Sequence, residues 1–469
     1  MQVEFYSWGA AQEVTGSKHF FKFDGQLVQV DCGAFQGRRE EAEEKNREWP
    51  FEAAEVNGMV LSHAHFDHSG LIPLLIKKGF SGNIYTTPAS RDLASLIMMD
   101  SAHIQAKDLE FLKKRARKKG EVFTKEPLYD EHDVLSSLNH FITASYNRPI
   151  TVTENVSVTF YDAGHIIGSS IPLLQFSQNG KTMTVAAAGD LGRKNLPILR
   201  DPQPIPDIDY LIIESTYGHR LHDPVNTAKD KLADTVNSTI KRGGKIIIPA
   251  FAIERTQELI YILHLLTDEG RIPKIPVYVD SPMATNATAI FRVHQECYDD
   301  DTRNAFLNHH KNPFGFNELH YITNVEESKA LNNHEGPEII ISSSGMCEAG
   351  RILHHLANNI EDSRNTILIV GFMAAHTLGR RIKEQHDKVR IFGDEYRLKA
   401  EVVTLNTFSA HADYNDIIDY ISALNSGKLK RIFLVHGEPD AQANLKKILD
   451  GKGYKTTIVA YEEEYTLEV

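Results

Sequence analysis

Four apolar segments of this chain each end close to a histidine or an aspartate. They are VNGMVL before SHAHFDHSG (residues 62–70), SVTFYD before AGH, KTMTVAAA before GD, and RIFLV before HGE. Short apolar runs with such boundaries are typical of buried strands, and a loop that follows a strand is held rigidly at one edge of a sheet. The pattern therefore predicts strands whose ends present polar side chains together.

The middle of the chain follows a different pattern. From Tyr210 onward, apolar strands such as KIIIPAF, IPVYVD and EIIISSSG alternate with helical stretches such as QELIYILHLL, as far as about residue 395. This alternation predicts a parallel α/β sheet covered on both faces. The last 70 residues again carry histidines beyond apolar strands. We therefore expect a second domain inserted into the first.

The first third of the chain predicts hairpins and helices around these strands. KHFFKF and QLVQVD flank the turn Asp24-Gly25, which indicates a hairpin. LIPLLIKKG predicts a helix that ends at Gly79. Residues 100–136 are helical in pattern and highly charged, with KKRARKK at 113–119. This run is either a solvated helix face or a contact with nucleic acid.

Size and composition limit the classes of protein to be considered. A chain of 469 residues exceeds one ordinary hydrophobic core, so two domains are expected. No apolar run approaches the ~20 residues that span a bilayer, and the N-terminal residues lack a secretory pattern. Three scattered cysteines argue against a disulfide framework and for a reducing, cytoplasmic setting. The net charge of −12 requires that any nucleic-acid contact be local.

Histidines and aspartates in SHAHFDHSG have the spacing of metal ligands. His63 and His65 are two residues apart, so on an extended segment their side chains project the same way. Asp67 and His68 follow where the chain turns into a helix. One short loop can thus offer two ligands to each of two adjacent ions, and imidazole and carboxylate suit zinc. Taken alone, the segment is also compatible with a polar, solvated turn.

The other strand ends supply the ligands that are still missing. His63, His65 and His165 would hold one ion, Asp67, His68 and His436 the other, and Asp190 would bridge them. Two ions about 3.5–4 Å apart lower the pKa of a bridging water and neutralise charge on a phosphoryl oxygen. The sequence therefore predicts two Zn²⁺ ions that share a hydroxide nucleophile.

HAHFDH with these companions resembles the metallo-β-lactamase superfamily. Asp31 in VDCG matches the first motif of that family, and GAAQEVTGSKHF is similar to the start of its β-CASP nuclease branch. Glu214 in IESTYG matches motif A of the branch, His411 in SAHAD matches motif B, and His436 in LVHGE matches motif C. HAHFDH alone indicates only the superfamily. Motifs A to C around an inserted α/β block indicate the branch that includes the nuclease subunit of the messenger-RNA 3′-end cleavage factor.

The resemblance implies an architecture and an activity. The fold would be α/β, with a four-layered αββα metallo-β-lactamase core in residues 1–207 and 400–469. A parallel-sheet β-CASP domain, residues 208–399, would be inserted into the core and close over the metals. The activity would be that of a zinc-dependent ribonuclease that leaves a 5′-phosphate. We expect endonucleolytic RNA processing or decay, with 5′-exonucleolytic cutting as a further mode.

The resemblance also implies roles for individual residues. His411 would act as the general acid and Glu214 would orient it, whereas Asp31 would orient a ligand histidine. Two alternatives are open: His411 binds substrate without proton transfer, and Asp31 is a turn carboxylate. The predicted catalytic set is His411, Glu214, Asp67, Asp190 and Asp31.

Further candidates, for contacts with RNA, lie in the middle of the chain. They are grouped at predicted helix starts, where backbone N–H groups face anions. The alternative reading for each is helix capping or a surface charge. The candidates are Arg255, Ser342, Ser343, Ser344, Gly345, Thr377, Gly379 and Arg380.

Other functions of the same fold are a DNA nuclease, a small-molecule hydrolase, and an RNA-binding scaffold with weak activity. In the family, the DNA-directed members resembling Artemis lack the motif B histidine, and small-molecule hydrolases lack the insert. Inactive scaffolds have lost ligands, whereas this chain has all seven. The expected partner is RNA, with no membrane. A homodimer is compatible with the resemblance but is supported by no pattern in the sequence.

Overall fold

The computed structural model describes residues 1–222, 226–308, 312–371, 373–374, 376–405, 409–424 and 427–469. Two compact units are formed. Unit 1 comprises Met1–Lys194, Arg200–Leu221 and Ala410–Val469, and unit 2 comprises Asn195–Leu199 and His222–Ser409. Unit 1 is thus built from both ends of the chain.

Strands dominate the chain up to residue 222. The elements are β1 Gln2–Ser7, β2 His19–Phe23, β3 Gln26–Val30, α1 Arg39–Arg47, β4 Val56–Val60, α2 Phe66–Ser69, α3 Ile72–Lys77, β5 Asn83–Thr86, α4 Pro88–Lys119, α5 Glu131–Leu138, β6 Phe141–Thr143, β7 Pro149–Thr153, β8 Val156–Asp162, β9 Ser170–Gln178, β10 Lys181–Ala188 and β11 Tyr210–Glu214. A short 3₁₀ helix, Ala53–Glu55, precedes β4.

Strands and helices alternate from residue 226 to 405, and unit 1 resumes after residue 409. The middle elements are α6 Asn226–Lys241, β12 Ile246–Pro249, α7 Arg255–Asp268, β13 Val277–Asp280, α8 Pro282–Val293, a 3₁₀ helix Gln295–Cys297, α9 Asp300–Asn308, β14 Leu319–Tyr321, α10 Val325–Leu331, β15 Ile339–Ser342, α11 Ile352–Asn359, β16 Thr366–Ile369, α12 Leu378–Lys383, β17 Lys388–Ile391, β18 Asp394–Arg397 and β19 Glu401–Thr404. The last elements are α13 Tyr414–Ala423, β20 Arg431–Val435, α14 Pro439–Gly451, β21 Thr456–Ile458 and β22 Tyr465–Glu468.

Two seven-stranded sheets form unit 1. Their strand orders are β22-β1-β2-β3-β4-β5-β6 and β21-β20-β11-β10-β9-β8-β7. The predicted hairpin around Asp24-Gly25 is the antiparallel pair β2–β3. Apolar side chains of both sheets pack against each other in one core that includes Phe21, Phe176 and Ile212.

Helices cover the outer faces of these sheets. Along β11, Ile212 points into the core between the sheets, whereas Leu211 and Ile213 pack with Ile417 of α13 and Leu445 of α14. This alternation follows from the two-residue period of a strand. On the other side, α4 contacts β6 and α5. Unit 1 therefore has the predicted αββα layering.

The sheet of unit 2 is parallel, with strand order β14-β13-β15-β12-β16-β19. Its central strands are buried along their whole length, because helices cover both faces. Ile247, Ile340 and Ile367 pack with Ile352 and Leu356 of α11. The predicted α/β fold class is confirmed.

The unit boundaries differ from the predicted domain boundaries, 207/208 and 399/400. Strand β11, assigned from the sequence to the inserted domain, pairs in parallel with β10 and β20 in the second sheet of unit 1. Strand β19, assigned to the core, pairs in parallel with β16 in unit 2. Both are short apolar strands with parallel neighbours, so their local sequence does not identify their sheet.

Two further expectations concern cysteines and membranes. Cys32, Cys297 and Cys347 are buried, and none forms a disulfide. Within the described ranges, no helix combines the length and the apolar character that crossing a bilayer requires.

Candidate metal centre

The ends of four strands in unit 1 supply the predicted ligands. His63 and His65 follow β4, and Asp67 and His68 lie in the single turn of α2. The remaining three ligands follow β8, β10 and β20. They are His165, Asp190 and His436. The structure brings all seven together.

Three histidines and one carboxylate oxygen form the first donor set. His65 Nδ1 lies 3.1 Å from His63 Nε2 and 3.2 Å from His165 Nε2. Asp190 Oδ2 lies 3.4 Å from His63 Nε2 and 3.2 Å from His165 Nε2. The four donor atoms thus surround one point.

The second donor set lies on the other side of Asp190. His68 Nε2 is 3.3 Å from His436 Nε2 and 3.4 Å from Asp190 Oδ1. Asp67 Oδ2 is 3.4 Å from His436 Nε2. Asp190 thus supplies Oδ2 to the first set, and its Oδ1 lies beside His68 Nε2 of the second set.

The donor atoms of both sets fit a metal ion. Ligands at about 2.0–2.1 Å from a tetrahedral ion are separated from one another by about 3.3–3.4 Å, close to the observed 3.1–3.4 Å. Asp190 Oδ1 is buried, and no described residue hydrogen-bonds to it. A cation between the donors would satisfy this oxygen.

The protonation states of the site suit ligation. Burial lowers the pKa of His63 to about 4 and holds the pKa of His65 well below its usual value, which favours neutral rings. Burial acts to raise the pKa of Asp190, but His436 and His68 hold it well below the usual range. Burial also acts to raise the pKa of Asp67, but His436 and His68 lower it below its usual value. Neutral imidazole and ionised carboxylate are the ligand forms.

His68 lies between two carboxylates. Burial acts to lower its pKa, but Asp190 and Asp31 raise it well above the usual value. The negative charge that favours a proton on His68 Nε2 also favours a metal ion at the same position. Because His68 Nδ1 lies 2.7 Å from Asp31 Oδ2, Asp31 leaves Nε2 to the donor set.

Asp31 is held by its neighbours in an uncommon backbone conformation. Its φ is 61°, in the left-handed region, and it is buried. Ser62 donates to Asp31 from its backbone N–H (2.8 Å) and from its hydroxyl (2.9 Å). Asp31 therefore connects the end of β3 to the ligand loop after β4.

His436 is also held in the left-handed region, with φ 47°. Its N–H donates to Ala10 O at 2.7 Å, and its carbonyl accepts from the Ser215 N–H at 3.1 Å. Thr216 Oγ1 lies 3.1 Å from His436 Nδ1. Loops from two other parts of the chain thus hold the backbone and ring of His436, and a strained residue held in this way is typical of a functional site.

His411 lies beside the donor sets but outside them. Its Nδ1 is 3.1 Å from both oxygens of Glu214 and 3.9 Å from Asp190 Oδ2. Glu214 is fully buried and also accepts from the Leu191 N–H at 2.6 Å. Since a carboxylate only accepts, His411 Nδ1 carries a proton and Nε2 is left for other partners.

The charge of His411 follows from this setting. Burial acts to lower its pKa, but Glu214 and Asp190 raise it to about 9. The side chain is 23% exposed, whereas those of Asp190 and Glu214 are at most 1% exposed. Of this group, His411 is therefore the one whose side chain reaches solvent.

The predicted RNA-contacting residues lie in unit 2 and make structural contacts there. Arg255 is buried, and its guanidinium donates to Glu258 of the same helix. Ser343 Oγ donates to Ser281 Oγ at 3.1 Å, and Ser344 Oγ accepts from the Glu348 N–H at 3.1 Å. RNA contact by these residues stays a prediction.

The remaining candidates have similar explanations. Thr377 caps α12 by accepting from the Arg380 N–H at 3.2 Å, and Arg380 pairs with Glu384 at 2.6 Å. A Cβ added to Gly379 would lie 2.4 Å from Met373 Sδ. Ser342 donates to Asp280 O, and a Cβ on Gly345 would lie 2.8 Å from Phe251.

Sequence reasoning missed the hydroxyl groups that position the ligands. Ser62 directly precedes the ligand motif and bonds Asp31, and Thr216 directly follows Glu214-Ser215 and contacts His436. Both lie inside the motifs that carry the predicted charged residues. Ser17, at 3.3 Å from Asp31 Oδ2, lies in GAAQEVTGSKHF and had no comparable signal.

Family models match most of the chain. A metallo-β-lactamase superfamily domain matches residues 20–186, a Beta-Casp domain matches 256–382, and a Zn-dependent metallo-hydrolase RNA specificity domain matches 395–459. The order of these matches agrees with the order of motifs in the sequence.

Named relatives align over nearly the whole chain. Ribonuclease TTHA0252 of Thermus thermophilus is 34% identical over 456 residues, which cover 97% of this chain and 98% of that protein. The transcription termination factors FttA of Methanothermobacter thermautotrophicus and Methanosarcina mazei are 31% and 29% identical over 92% and 93% of this chain. This chain spans about two thirds of the length of those factors, 66% and 67%.

A solved structure shows the same fold at low identity. A protein of unknown function from Enterococcus faecalis V583 superimposes with a TM-score of 0.56 over the full length of both chains, at 12% identity. Fold, ligand geometry, family matches and the Thermus relative agree. The chain belongs to the metallo-β-lactamase superfamily, in the branch that carries a β-CASP domain.

Proposed function

We propose that the chain is a zinc-dependent ribonuclease that hydrolyses RNA phosphodiester bonds with two zinc ions. The observation that carries this proposal is the place of Asp190: its Oδ2 belongs to the first donor set and lies 3.9 Å from His411, and its Oδ1 lies 3.4 Å from His68 Nε2 of the second set. The choice of RNA is supported by the RNA specificity domain match and by the name of the Thermus relative.

The seven ligands would hold the two ions with Asp190 between them. Zinc bound there would lower the pKa of a bound water and neutralise charge on a phosphoryl oxygen. Asp31 holds His68 through Nδ1, so that Nε2 faces the ion site. Thr216 has the corresponding position at Nδ1 of His436. These contacts pre-orient the ligand rings.

His411 is the proposed proton donor. Glu214 accepts a hydrogen bond from Nδ1–H and raises the pKa of the ring to about 9, so that Nε2 holds a second proton to give. That proton passes to the leaving 3′-oxygen as the bond from phosphorus to this oxygen breaks. The phosphate remains on the 5′-oxygen of the other product, which therefore carries a 5′-phosphate. General acid catalysis of this kind contributes typically 10²–10⁴-fold to the rate.

The mode and setting of cutting complete the proposal. We propose endonucleolytic cutting in RNA processing or decay, with 5′-exonucleolytic cutting as an additional mode. The cytoplasmic setting predicted from cysteine usage belongs to the same proposal.

One assay with matched substrates tests this function. Purified protein is incubated with zinc and with labelled RNA, DNA of the same sequence, or a chromogenic lactam, each with and without chelator. Chelator-sensitive cutting of RNA alone is the expected result. Cutting of DNA alone would identify a DNA nuclease, lactam hydrolysis a small-molecule hydrolase, and no cutting with two zinc ions bound a scaffold.

A pair of variants distinguishes RNA cutting by this site from cutting by contaminating nucleases. Asp190→Asn removes charge from the bridging position and is expected to abolish RNA cutting. Asp419→Asn, at an exposed position of α13, is expected to leave it unchanged. Equal activity in both variants would place the cutting outside this site.

A further inference from the structure

The C-terminal end of α4 carries a dense group of positive charges. Residues 113–119 read KKRARKK, and every member except Ala116 is exposed. The helix ends at Gly120, whose φ of 71° is left-handed. The cations are Lys113, Lys114, Arg115, Arg117, Lys118 and Lys119.

These cations have few carboxylate partners. Lys119 lies 3.9 Å from Glu121, but no ion pair joins the other five to any described residue. Lys125, shortly after the helix, is by contrast paired with Glu43 at 2.9 Å. Like charges at i, i+4 destabilise a helix, and the whole chain has a net charge of −12. A cluster of unpaired cations in an acidic protein therefore points to an external anion.

An exposed aromatic ring shares a face of α4 with three of these cations. Phe111 is 66% exposed. Lys114, Arg115 and Lys118 follow it at i+3, i+4 and i+7, so the four side chains form one stripe along the helix. We call this set the Phe111 stripe. Cations that follow a backbone and an aromatic ring that stacks a base are the elements of single-strand nucleic-acid binding.

The start of α4 contacts the loop that carries the predicted ligand His165. Thr87 Oγ1 and Ser90 Oγ donate to Gly168 O at 2.6 and 2.8 Å, and Gly168 lies three residues after the ligand His165. At 1.5 Å per residue, the Phe111 stripe begins about 35 Å and ends about 45 Å from that point. Roughly 10–13 stacked nucleotides, at about 3.4 Å each, cover this distance.

We propose that the Phe111 stripe is a binding site for single-stranded RNA, remote from the metal centre and on the same unit. This inference rests on the proposed function, because it names a second contact for the same substrate. The cations hold phosphates and Phe111 stacks a base. RNA long enough to reach from the metal centre to the stripe binds through both, and shorter RNA binds through the centre alone.

The test measures RNA binding in the presence of chelator, so that it does not depend on cutting. The triple variant Lys114→Gln, Arg115→Gln, Lys118→Gln is compared with a control that removes three exposed lysines elsewhere on unit 1, Lys447→Gln, Lys452→Gln, Lys455→Gln. Both change the net charge equally. Fluorescence anisotropy with RNAs of about 30 and about 5 nucleotides is recorded over a range of salt concentrations.

A plot of log affinity against log salt has a negative slope, to which each phosphate contact contributes about 0.7. Because the stripe variant removes three cations, this slope is expected to become shallower by about 2 for the long RNA. Phe111→Ala is expected to weaken binding of the long RNA roughly tenfold. The control variant and the short RNA should show neither change.

Equal slopes for the stripe variant and the control would overturn the inference and assign the surface to another partner, such as an acidic protein. An equal loss of affinity for long and short RNA in the stripe variant would also overturn the inference. Absence of RNA cutting by the zinc-loaded parent would refute the proposed function, and the binding comparison would still decide this inference.

Discussion

Replacing His411 with alanine tests the division of labour in the metal centre. The His411 ring contacts Glu214 and lies 3.9 Å from Asp190, but it belongs to neither donor set. Its loss would therefore remove the proposed proton donor and leave the seven predicted ligands in place. We expect a fall in kcat of about 10²–10⁴-fold, the usual contribution of a general acid, with the metal content unchanged.

The assay uses substrates that differ in their need for a proton. A 3′-oxygen of RNA is a poor leaving group, whereas p-nitrophenolate leaves without protonation. His411→Ala should thus reduce the cutting of RNA much more than the hydrolysis of a p-nitrophenyl phosphodiester. His103→Ala, at an exposed histidine of α4, is the matched control and should affect neither substrate.

Two results would refute the reasoning about His411. Loss of zinc from the variant would make His411 a ligand. An equal reduction with both substrates would assign it to substrate binding instead of proton transfer.

Three further predictions concern ligand orientation, metal removal and pH. Asp31→Asn should weaken metal affinity about 10–100-fold, because it alters the carboxylate at 2.7 Å from His68 Nδ1; unchanged affinity in a zinc titration would contradict this. Chelation should lower the unfolding temperature, because ligand at 100 times Kd contributes about 2.7 kcal/mol to stability; an unchanged melting curve would contradict it. Burial acts to raise the pKa of Asp280, but His355, Ser328 and Arg351 lower it overall. Its stabilisation is therefore present above the unfolded pKa of about 3.9 and lost as pH falls through the folded value. In the variant Asp280→Asn, the free energy of unfolding should therefore fall less at acid pH than in the parent protein. Curves of unfolding free energy against pH that run parallel in the variant and the parent would contradict this.

Much of the metal centre could be predicted because its signal is local. His63, His65, Asp67 and His68 lie within six positions directly after an apolar strand, and spacing alone indicates two ligand directions. The distant predicted ligands obey the same rule, since each follows a strand. The roles of Glu214 and His411 came from the resemblance to a family.

The positions that sequence could not predict depend on tertiary neighbours. Strand β11 pairs with β10 and β20, and its two faces are buried against the other sheet of unit 1 and against helices α13 and α14. Such two-sided burial looks the same in any parallel sheet. The left-handed conformations of Asp31 and His436 depend on contacts with Ser62 and Ala10 from other segments. No local sequence pattern predicts such contacts.

Zinc titration of the metal-free protein, with RNA cutting and bound metal measured on the same samples, tests the central claim most directly. The bridging position proposed for Asp190 predicts that cutting rises until two zinc ions are bound per chain and is abolished by chelator. Full cutting of RNA with no zinc bound, or with one ion per chain, would contradict the account, as would the absence of cutting at two.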